Sequence, residues 1–215
     1  MRFPLISQRI SFRWLPDPPA EATSTLVLTS PTGYFVDVRI FNAPKSSETP
    51  LQWAFAGTSV HDTVNGQSHG TWVHLVDSKH PSGFKDSGTF KDLPNGDSLE
   101  VGVMHDDDLG VVREYEEVWR DWAADPPDFV VSQALGEGAQ GYYIRMAQYA
   151  QGVVKDEAGR LGVSRWVKGT REWTKDFTYG EIHEWLPSPA SANDNRTLSS
   201  SGPCRWVIVE EPLSP

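Results

Sequence analysis

Residues 51–60 read LQWAFAGTSV and alternate large rings with small side chains. In an extended chain successive side chains point to opposite faces, so Trp53 and Phe55 share one face while Ala54 and Ala56 share the other. A strongly curved sheet explains this pattern if the rings fill a closed barrel and another element packs closely on the alanines. A pocket lined by the two rings explains it equally well.

Period-two alternation continues along most of the chain. It predicts about a dozen strands, separated by turns rich in Gly, Pro, Asn and Asp, such as Asn95-Gly96. In residues 5–14 the apolar side chains stand mainly at even positions, namely Ile6, Ile10, Phe12 and Trp14. The best helical candidate is VVREYEEVWRDWAAD (111–125), but its β-branched start follows the turn DDDLG, and we favour a strand that runs into a turn. The predicted fold class is all-β, with two consecutive antiparallel β-barrels.

Residues 123–128, AADPPD, mark the predicted domain boundary, because two prolines cannot continue a central β-ladder. This predicts an N-terminal β-barrel over 1–124 and a C-terminal β-barrel over 128–215. The rings quoted above would point into the first barrel, with the second barrel or a loop resting on the alanines. A second irregular stretch, 186–203, is rich in Ser, Pro and Asn and predicts a long mobile loop between the last two strands.

The formal charge is −10, from 29 acidic and 19 basic residues. This balance argues against binding to nucleic acid or to an anionic membrane, both of which need clustered Lys and Arg. Cys204 is the single cysteine, so no intrachain disulfide forms. No apolar run reaches the length of a signal peptide or the roughly 20 residues of a membrane span. We therefore expect a cytoplasmic protein, with the nucleus as the alternative, and neither a nucleic-acid partner nor a membrane span.

Motifs that carry chemistry are scarce. The sequence has no phosphate loop, no G-x-S-x-G elbow and no dinucleotide motif, and His69, His74 and His80 lack the spacing of a metal site. We therefore expect no cofactor and no metal. His61 stands beside Asp62, as a general base beside a carboxylate would, but the surrounding HDTVNG is typical of a turn.

His74 lies between Trp72 and Val76 at the same phase of a predicted strand. It is therefore expected to point inward, and a buried, hydrogen-bonded histidine is the simplest interpretation. Asp77 falls at the opposite phase, which argues against a His74–Asp77 pair.

A dense polar and aromatic set occupies residues 142–151. If this run is a single strand, Tyr143, Arg145, Tyr149 and Gln151 share one face. That face would line a cavity with donors around an aromatic wall, or it would present anchors to a protein partner. Both alternatives stay open at this level.

Several segments together resemble the fungal Hri family, whose proteins are named for interacting with a casein-kinase-type kinase in yeast. The segments are GYFVDVRIF (33–41), LQWAFAGT (51–58), WVHLVDSK (72–79), DSG (86–88), EYEEVW (114–119), IRMAQYAQG (144–152) and SSGPCRWVIVEE (200–211). The resemblance implies two lipocalin-like β-barrels in tandem, a cytoplasmic and nuclear location, and protein interaction. It carries over no catalytic residue.

Two functional hypotheses follow. The first is a non-enzymatic protein-interaction module whose partner is a casein-kinase-type kinase. The alternative is a binder of a small hydrophobic ligand, or an enzyme of the cyclase or isomerase type, acting in an aromatic-lined barrel cavity. The candidate cavity or binding residues are Trp53, Phe55, His61, Trp72, His74, Tyr143, Arg145 and Tyr149.

Overall fold

A computed structural model describes residues 3–43, 50–124, 128–136, 138–190, 193–194 and 197–212. Within these ranges the regular structure is antiparallel β-strand, apart from a short 3-10 helix, His183–Trp185. The predicted all-β fold class is therefore confirmed.

The first half forms a closed eight-stranded barrel, in which each strand pairs with the next and the last pairs with the first. Its strands are β1 (Leu5–Trp14), β2 (Thr23–Thr29), β3 (Tyr34–Phe41), β4 (Leu51–Val64), β5 (Gln67–Asp77), β6 (Phe84–Asp92), β7 (Ser98–Asp106) and β8 (Val111–Ala123). The helical candidate of the sequence begins at Val111 and lies in β8 as far as Ala123, so the strand favoured there over a helix is confirmed.

The second half forms an eight-stranded sheet in the order β13-β12-β11-β10-β9-β16-β15-β14. Its strands are β9 (Phe129–Leu135), β10 (Ala139–Met146), β11 (Tyr149–Asp156), β12 (Leu161–Lys168), β13 (Trp173–Tyr179), β14 (Asn193–Asp194), β15 (Thr197–Leu198) and β16 (Arg205–Glu210). No ladder joins β13 to β14 in the part of the chain that the structure describes, so this half is a sheet with two edges.

The predicted boundary at 123–128 includes residues 125–127, which lie outside the described residues. Strands β1–β8 precede it and β9–β16 follow it, while the division into 1–124 and 128–215 stays a prediction. The predicted loop 186–203 contains the short strands β14 and β15 in its described part.

The two faces of β4 are buried against different partners. Trp53 and Phe55 pack inside the first barrel in a cluster with Val27, Phe35 and Trp119. Ala54 and Ala56 are fully buried in a second cluster that the two halves share. The second half contributes to that shared cluster Phe129, Val131, Tyr142, Ile144, Met146, Val153 and Val163. This confirms that the rings point inward and that the second half rests on the alanines.

Two polar side chains of the second half cross this apolar contact. The amide nitrogen of Gln151 donates to the backbone oxygens of Leu26 and Val36 at 2.8 and 2.7 Å. Arg165 Nη1 donates to Ser24 Oγ at 2.9 Å, and its Nη2 donates to the backbone oxygens of Ser24 and Val38. Burial of Arg165 lowers its pKa to about 10. These bonds fix how the sheet is oriented on the barrel, since buried donors must meet acceptors.

A β-bulge in β1 overturns one prediction from alternation. The pairing with β8 shifts between Arg9 and Ser11, so side chains before and after the shift exchange faces. Ile6 lies in the cluster shared by the two halves, whereas Phe12 stacks on Tyr115 with ring centroids 6.3 Å apart. The expectation of one continuous apolar face along residues 5–14 is therefore wrong.

The substitution Gln151→Leu tests whether these hydrogen bonds hold the halves together. It keeps the side-chain size but removes both bonds to the barrel and the acceptor for Arg165 Nε, which lies 3.3 Å from Gln151 Oε1. We expect the free energy of unfolding to fall by about 1–3 kcal/mol, measured by urea denaturation. Gln148→Leu, at an exposed position in the turn before β11, is the control and should change it by less than about 0.5 kcal/mol. Equal effects of the two substitutions would contradict the interpretation.

Candidate functional site

The interior of the first barrel holds a cavity of about 110 Å³. Its aromatic wall consists of Phe35, Trp53, Phe55, Trp72, Phe90 and Trp119. Its acidic and basic lining consists of Asp37, Arg39, Asp86, Glu100, Glu117 and Asp121. A void of this size exceeds the roughly 30 Å³ share of a water molecule several-fold, so it has room for a small organic group.

Strand register explains why rings and charges meet in this space. Directly paired residues of antiparallel strands point to the same face. In β3 and β4, Asp37 pairs with Phe55 and Arg39 pairs with Trp53, so each ring has a charge as its neighbour. The guanidinium of Arg39 lies over both rings, 5.0 Å from the Trp53 centroid and 5.3 Å from that of Phe55.

Arg39 is the centre of a buried ion network. Its Nε and Nη2 donate to Asp37 Oδ2 at 3.0 and 2.9 Å, and its Nη1 donates to Glu117 Oε1 at 3.2 Å. Arg9 Nη1 donates to the same Glu117 oxygen at 2.6 Å. Burial alone would lower the pKa of Arg39, but Asp37 and then Glu117 outweigh it and raise that pKa. The guanidinium therefore stays charged. Removing one partner of such a network leaves a buried charge unpaired, which costs several kcal/mol.

Asp37 has one oxygen that the network leaves unused. Its Oδ1 is buried and has no hydrogen-bond partner among the described residues, although the side chain lines the cavity. Burial raises the pKa of Asp37, against the opposing influence of Arg39. An unsatisfied buried acceptor is costly, so this atom marks a place where a bound group would gain a hydrogen bond.

Glu100 is the second unusual carboxyl. Tyr115 Oη and Trp119 Nε1 each donate to it at 2.9 Å. Burial, followed by the charges of Glu117 and Asp86, raises the pKa of Glu100 to about 8. The group is therefore largely protonated at neutral pH.

Two glycines make room for Glu100 and Tyr115. They pair directly across β6 and β7, and both face the interior. A Cβ atom at Gly88 would collide with the Glu100 carboxyl, and one at Gly102 would lie 2.6 Å from Tyr115 Oη. Glycine at these positions is required by close approach of the two side chains.

His74 does pair with Asp77, and the expectation that they point to opposite faces is wrong. The pairing of β4 and β5 shifts between Ala56 and Gly57, so Leu75 is the extra residue of a bulge. His74 Nδ1 lies 2.6 Å from Asp77 Oδ2, and both residues are buried. Burial lowers the pKa of His74, but the hydrogen bond to Asp77 and the nearby charge of Asp86 raise it overall. A buried, hydrogen-bonded histidine was the expected arrangement, and it is confirmed.

This His–Asp pair supports the aromatic wall rather than lining the cavity. Asp77 Oδ1 accepts from Trp53 Nε1 at 2.8 Å, and the ring of His74 stacks on Phe55 at 4.1 Å. His74 Nε2 lies 3.6 Å from Asp86 Oδ2, which is longer than a hydrogen bond. The pair therefore fixes the orientation of both rings.

His61 and Trp72 also line the cavity, their ring centroids 5.6 Å apart. β4 continues to Val64, and the chain turns only at Asn65-Gly66. The expectation that His61 lies in a turn is therefore wrong. Asp62 is exposed on the opposite face of β4, so it is no partner for His61.

The three candidates from the second half lie away from this cavity. Ala147 has a positive φ of 49° between β10 and β11, so the run 142–151 is a hairpin rather than one strand. Tyr143 is buried inside the second sheet, and Arg145 pairs with Asp128 at 3.1 Å. Tyr149 packs edge-on to Trp122, with ring centroids 6.4 Å apart. Tyr143 and Arg145 therefore lie on the opposite face from Tyr149 and Gln151, and the prediction that all four share one face is wrong.

The structure thus brings together Trp53, Phe55, His61 and Trp72 around one cavity, with His74 behind it. Sequence patterns missed the six acidic and basic residues of the lining, which are Asp37, Arg39, Asp86, Glu100, Glu117 and Asp121. Two of them could have been found from the sequence, because Asp37 and Arg39 occupy the same alternating positions of β3 as Phe35 and so share its face. Alternation cannot decide which phase points inward when both faces of a strand are buried.

Comparison with known proteins identifies the family. The family profile described as Protein HRI1 matches residues 5–210. The chain belongs to the HRI1 family. This confirms the resemblance seen in the sequence, and it rests on nearly the whole chain rather than on isolated segments.

Relatives named Protein HRI1 occur in two yeasts. One from Kluyveromyces lactis is 41% identical over 56 residues, which is 26% of this chain and 23% of that relative. Two from Saccharomyces cerevisiae strains are 25% identical: one over 77% of this chain and 96% of its own length, the other over 96% and 98%. These names identify the family and state no activity.

A solved structure has the same fold as this chain. The crystal structure of the protein YLR301w from Saccharomyces cerevisiae superposes with a TM-score of 0.82, at 21% identity, over 98% of this chain and 100% of that one. This likeness concerns the fold alone. In the residues described, no helix combines the length and hydrophobicity needed to cross a lipid bilayer.

Glu100→Gln tests the raised pKa of Glu100. Because its pKa is about 8 in the folded protein and near 4.5 when exposed, its stabilising effect is full below about pH 4.5. That effect is lost as the pH rises toward 8. The glutamine stays neutral, can accept from Trp119 Nε1 and can donate to Tyr115 Oη. We expect the variant to gain stability relative to the native chain between pH 5 and pH 8, by about 1 kcal/mol or more.

The free energy of unfolding is measured by urea denaturation at pH 5 and at pH 8. Glu114→Gln, at an exposed position on the outer face of β8, is the control and should show no such pH-dependent difference. A constant difference between Glu100→Gln and the native chain across this range would contradict the assignment.

Proposed function

We propose that this HRI1-family protein binds a small organic molecule inside its first barrel. The observation that carries the proposal is the cavity itself, which is lined by three indole rings, by several charged side chains and by Asp37, whose Oδ1 has no hydrogen-bond partner among the described residues. Ligand sites typically combine an apolar, aromatic wall with a few placed polar groups. Eight-stranded barrels are also of the size that either fills with side chains or holds one small ligand.

An isomerase or cyclase activity is an extension of the same proposal. Such reactions need a shaped cavity and a proton donor, and a carboxyl that stays protonated near neutral pH is suited to that task. Glu100 meets the second condition because its pKa is raised to about 8.

Filling the cavity is the direct test. Ser7 lines the cavity, whereas Gln8 is its exposed neighbour on the outer face of β1. The variants Ser7→Phe and Gln8→Phe therefore add the same ring to opposite faces of one strand. Binding of small monocyclic aromatic compounds, detected by saturation-transfer NMR, should be lost in Ser7→Phe and kept in Gln8→Phe. Loss in both variants, or in neither, would overturn the proposal.

A protein partner is the second candidate function. It is favoured by valines on the outer face of β7 and β8, where Val103 is 64% and Val112 69% exposed. Their strand neighbours include Glu114 and Glu116. Exposed apolar side chains rimmed by charge are common at protein contacts. The casein-kinase-type kinase expected from the family resemblance is the proposed partner, in the cytoplasm or nucleus. The single cysteine accords with those reducing compartments.

Val103→Lys tests this second candidate against a purified yeast casein-kinase-type kinase. A lysine on the proposed contact should weaken binding at least about tenfold, because it places a charge where an apolar surface would be buried. Val60→Lys, on the similarly exposed outer face of β4, is the control. The affinities are measured by biolayer interferometry. Equal affinity of both variants and the native chain would exclude this face.

A further inference from the structure

We infer that the first-barrel cavity selects a small organic cation, an ammonium group carried on an apolar or aromatic body. This inference rests on the proposed small-molecule site and names the chemical class of its ligand. Three features carry it: the excess of carboxyl groups around the cavity, the aromatic wall, and an oxygen of Asp37 that has no hydrogen-bond partner in the described part of the chain.

The charges around the cavity do not balance. Five carboxyl side chains line it, whereas Arg39 is the single lysine or arginine among the lining residues. Arg9 reaches the network from the side, but it is shared between Glu117 and Glu21, at 2.6 and 2.8 Å. Both guanidinium groups are therefore already neutralised by carboxylates. The remaining lining acids face no second lysine or arginine of the cavity lining, although Asp86 lies near His74, so a cation would be attracted and an anion repelled.

The spare carboxyl groups come from neighbouring strands of the barrel wall. Asp86 has a 22% exposed side chain and lies on β6, near His74. Asp121 lies on β8, and burial raises its pKa. Glu100 lies on β7, between these two strands in the barrel order. A ligand in the cavity would therefore meet carboxyl groups contributed by three adjacent strands.

The aromatic wall suits a cation for a separate reason. The faces of indole and phenyl rings carry partial negative charge and attract cations within about 6 Å of the ring centroid. The barrel already uses this interaction for its own Arg39, which lies 5.0 Å from the Trp53 centroid. Trp72, Phe90 and Trp119 line the same cavity and offer further ring surface.

Asp37 Oδ1 supplies a specific acceptor. It is a buried carboxyl oxygen without a hydrogen-bond partner among the described residues, on a side chain that lines the cavity. An ammonium N–H would satisfy it with a charge-assisted bond, which is about twice as strong as a neutral one. A metal ion is a weaker match, because no group of three or more metal-binding side chains is close enough to hold one in the described residues.

Proton release is a further consequence of cation binding. A positive charge beside Glu100 favours its ionised form, and this carboxyl is largely protonated at neutral pH because its pKa is about 8. Binding should therefore release protons near pH 7 and become tighter as the pH rises toward 8.

The experiment compares three probes of one size and three charges: benzylammonium, benzyl alcohol and benzoate. Their dissociation constants for the full chain are measured by isothermal titration at pH 7, in two buffers that differ in ionisation enthalpy. We expect benzylammonium to bind at least about tenfold tighter than benzyl alcohol, with measurable proton release, and benzoate to bind most weakly.

Two variants test the acceptor groups. Asp37→Asn and Asp86→Asn each remove a negative charge with little change in shape. Each should reduce the preference for benzylammonium over benzyl alcohol by at least about threefold. Asp62→Asn, on the exposed outer face of β4, is the control and should leave that ratio unchanged. Since Asp37 also holds Arg39, Asp86→Asn keeps the test decisive if Asp37→Asn fails to fold.

The outcomes separate the inference from the proposed function. If benzyl alcohol or benzoate binds as tightly as benzylammonium and Ser7→Phe abolishes that binding, the cation inference is overturned while the small-molecule site stands. If none of the three probes binds, both are overturned. A benzylammonium preference that survives unchanged in Asp86→Asn would also overturn the assigned role of the carboxyl groups.

Discussion

The structure depends on a barrel wall that is buried on both of its faces. Strands β2, β3 and β4 carry apolar or paired polar groups inside the first barrel, and their outer surface is covered by the second half. In residues 51–60 the rings fill the inside of the barrel, and the alanines between them pack against the second half. The small side chains let β10 and β11 approach the wall, and the rings then occupy the space on its other side.

Burying the wall from outside has a consequence for the interior. A strand held on both faces cannot easily move to expose its inner side to water, so charges placed there must be neutralised within the barrel. Arg39, Asp37 and Glu117 meet this condition, although Arg39 and Glu117 are 78 positions apart in the chain. Among the residues that the structure describes, this network leaves one Asp37 oxygen without a hydrogen-bond partner.

The polar groups behind the aromatic wall give it a defined shape. Asp77 holds the indole of Trp53 and the imidazole of His74, and the imidazole in turn stacks on Phe55. Rings held in this way form a preorganised surface, which reduces the entropy that a ligand would lose on ordering them. The HRI1-family fold is thus compatible with binding inside the barrel and with contact on its outer face, and the two sites use separate residues.

Local alternation and recognisable segments were enough to predict the all-β class, the family, and the division of β4 into a ring face and an alanine face. The sequence also placed Trp53, Phe55, His61 and Trp72 among the candidates, and the structure brings these four together around one cavity. The other contacts of the site depend on how the strands pair and close. The bulge at Leu75 joins His74 to Asp77, and the turn at Ala147 separates Tyr143 from Gln151. A single inserted residue reverses the face of every side chain after it, and barrel closure brings distant strands together, so neither effect is visible in local periodicity.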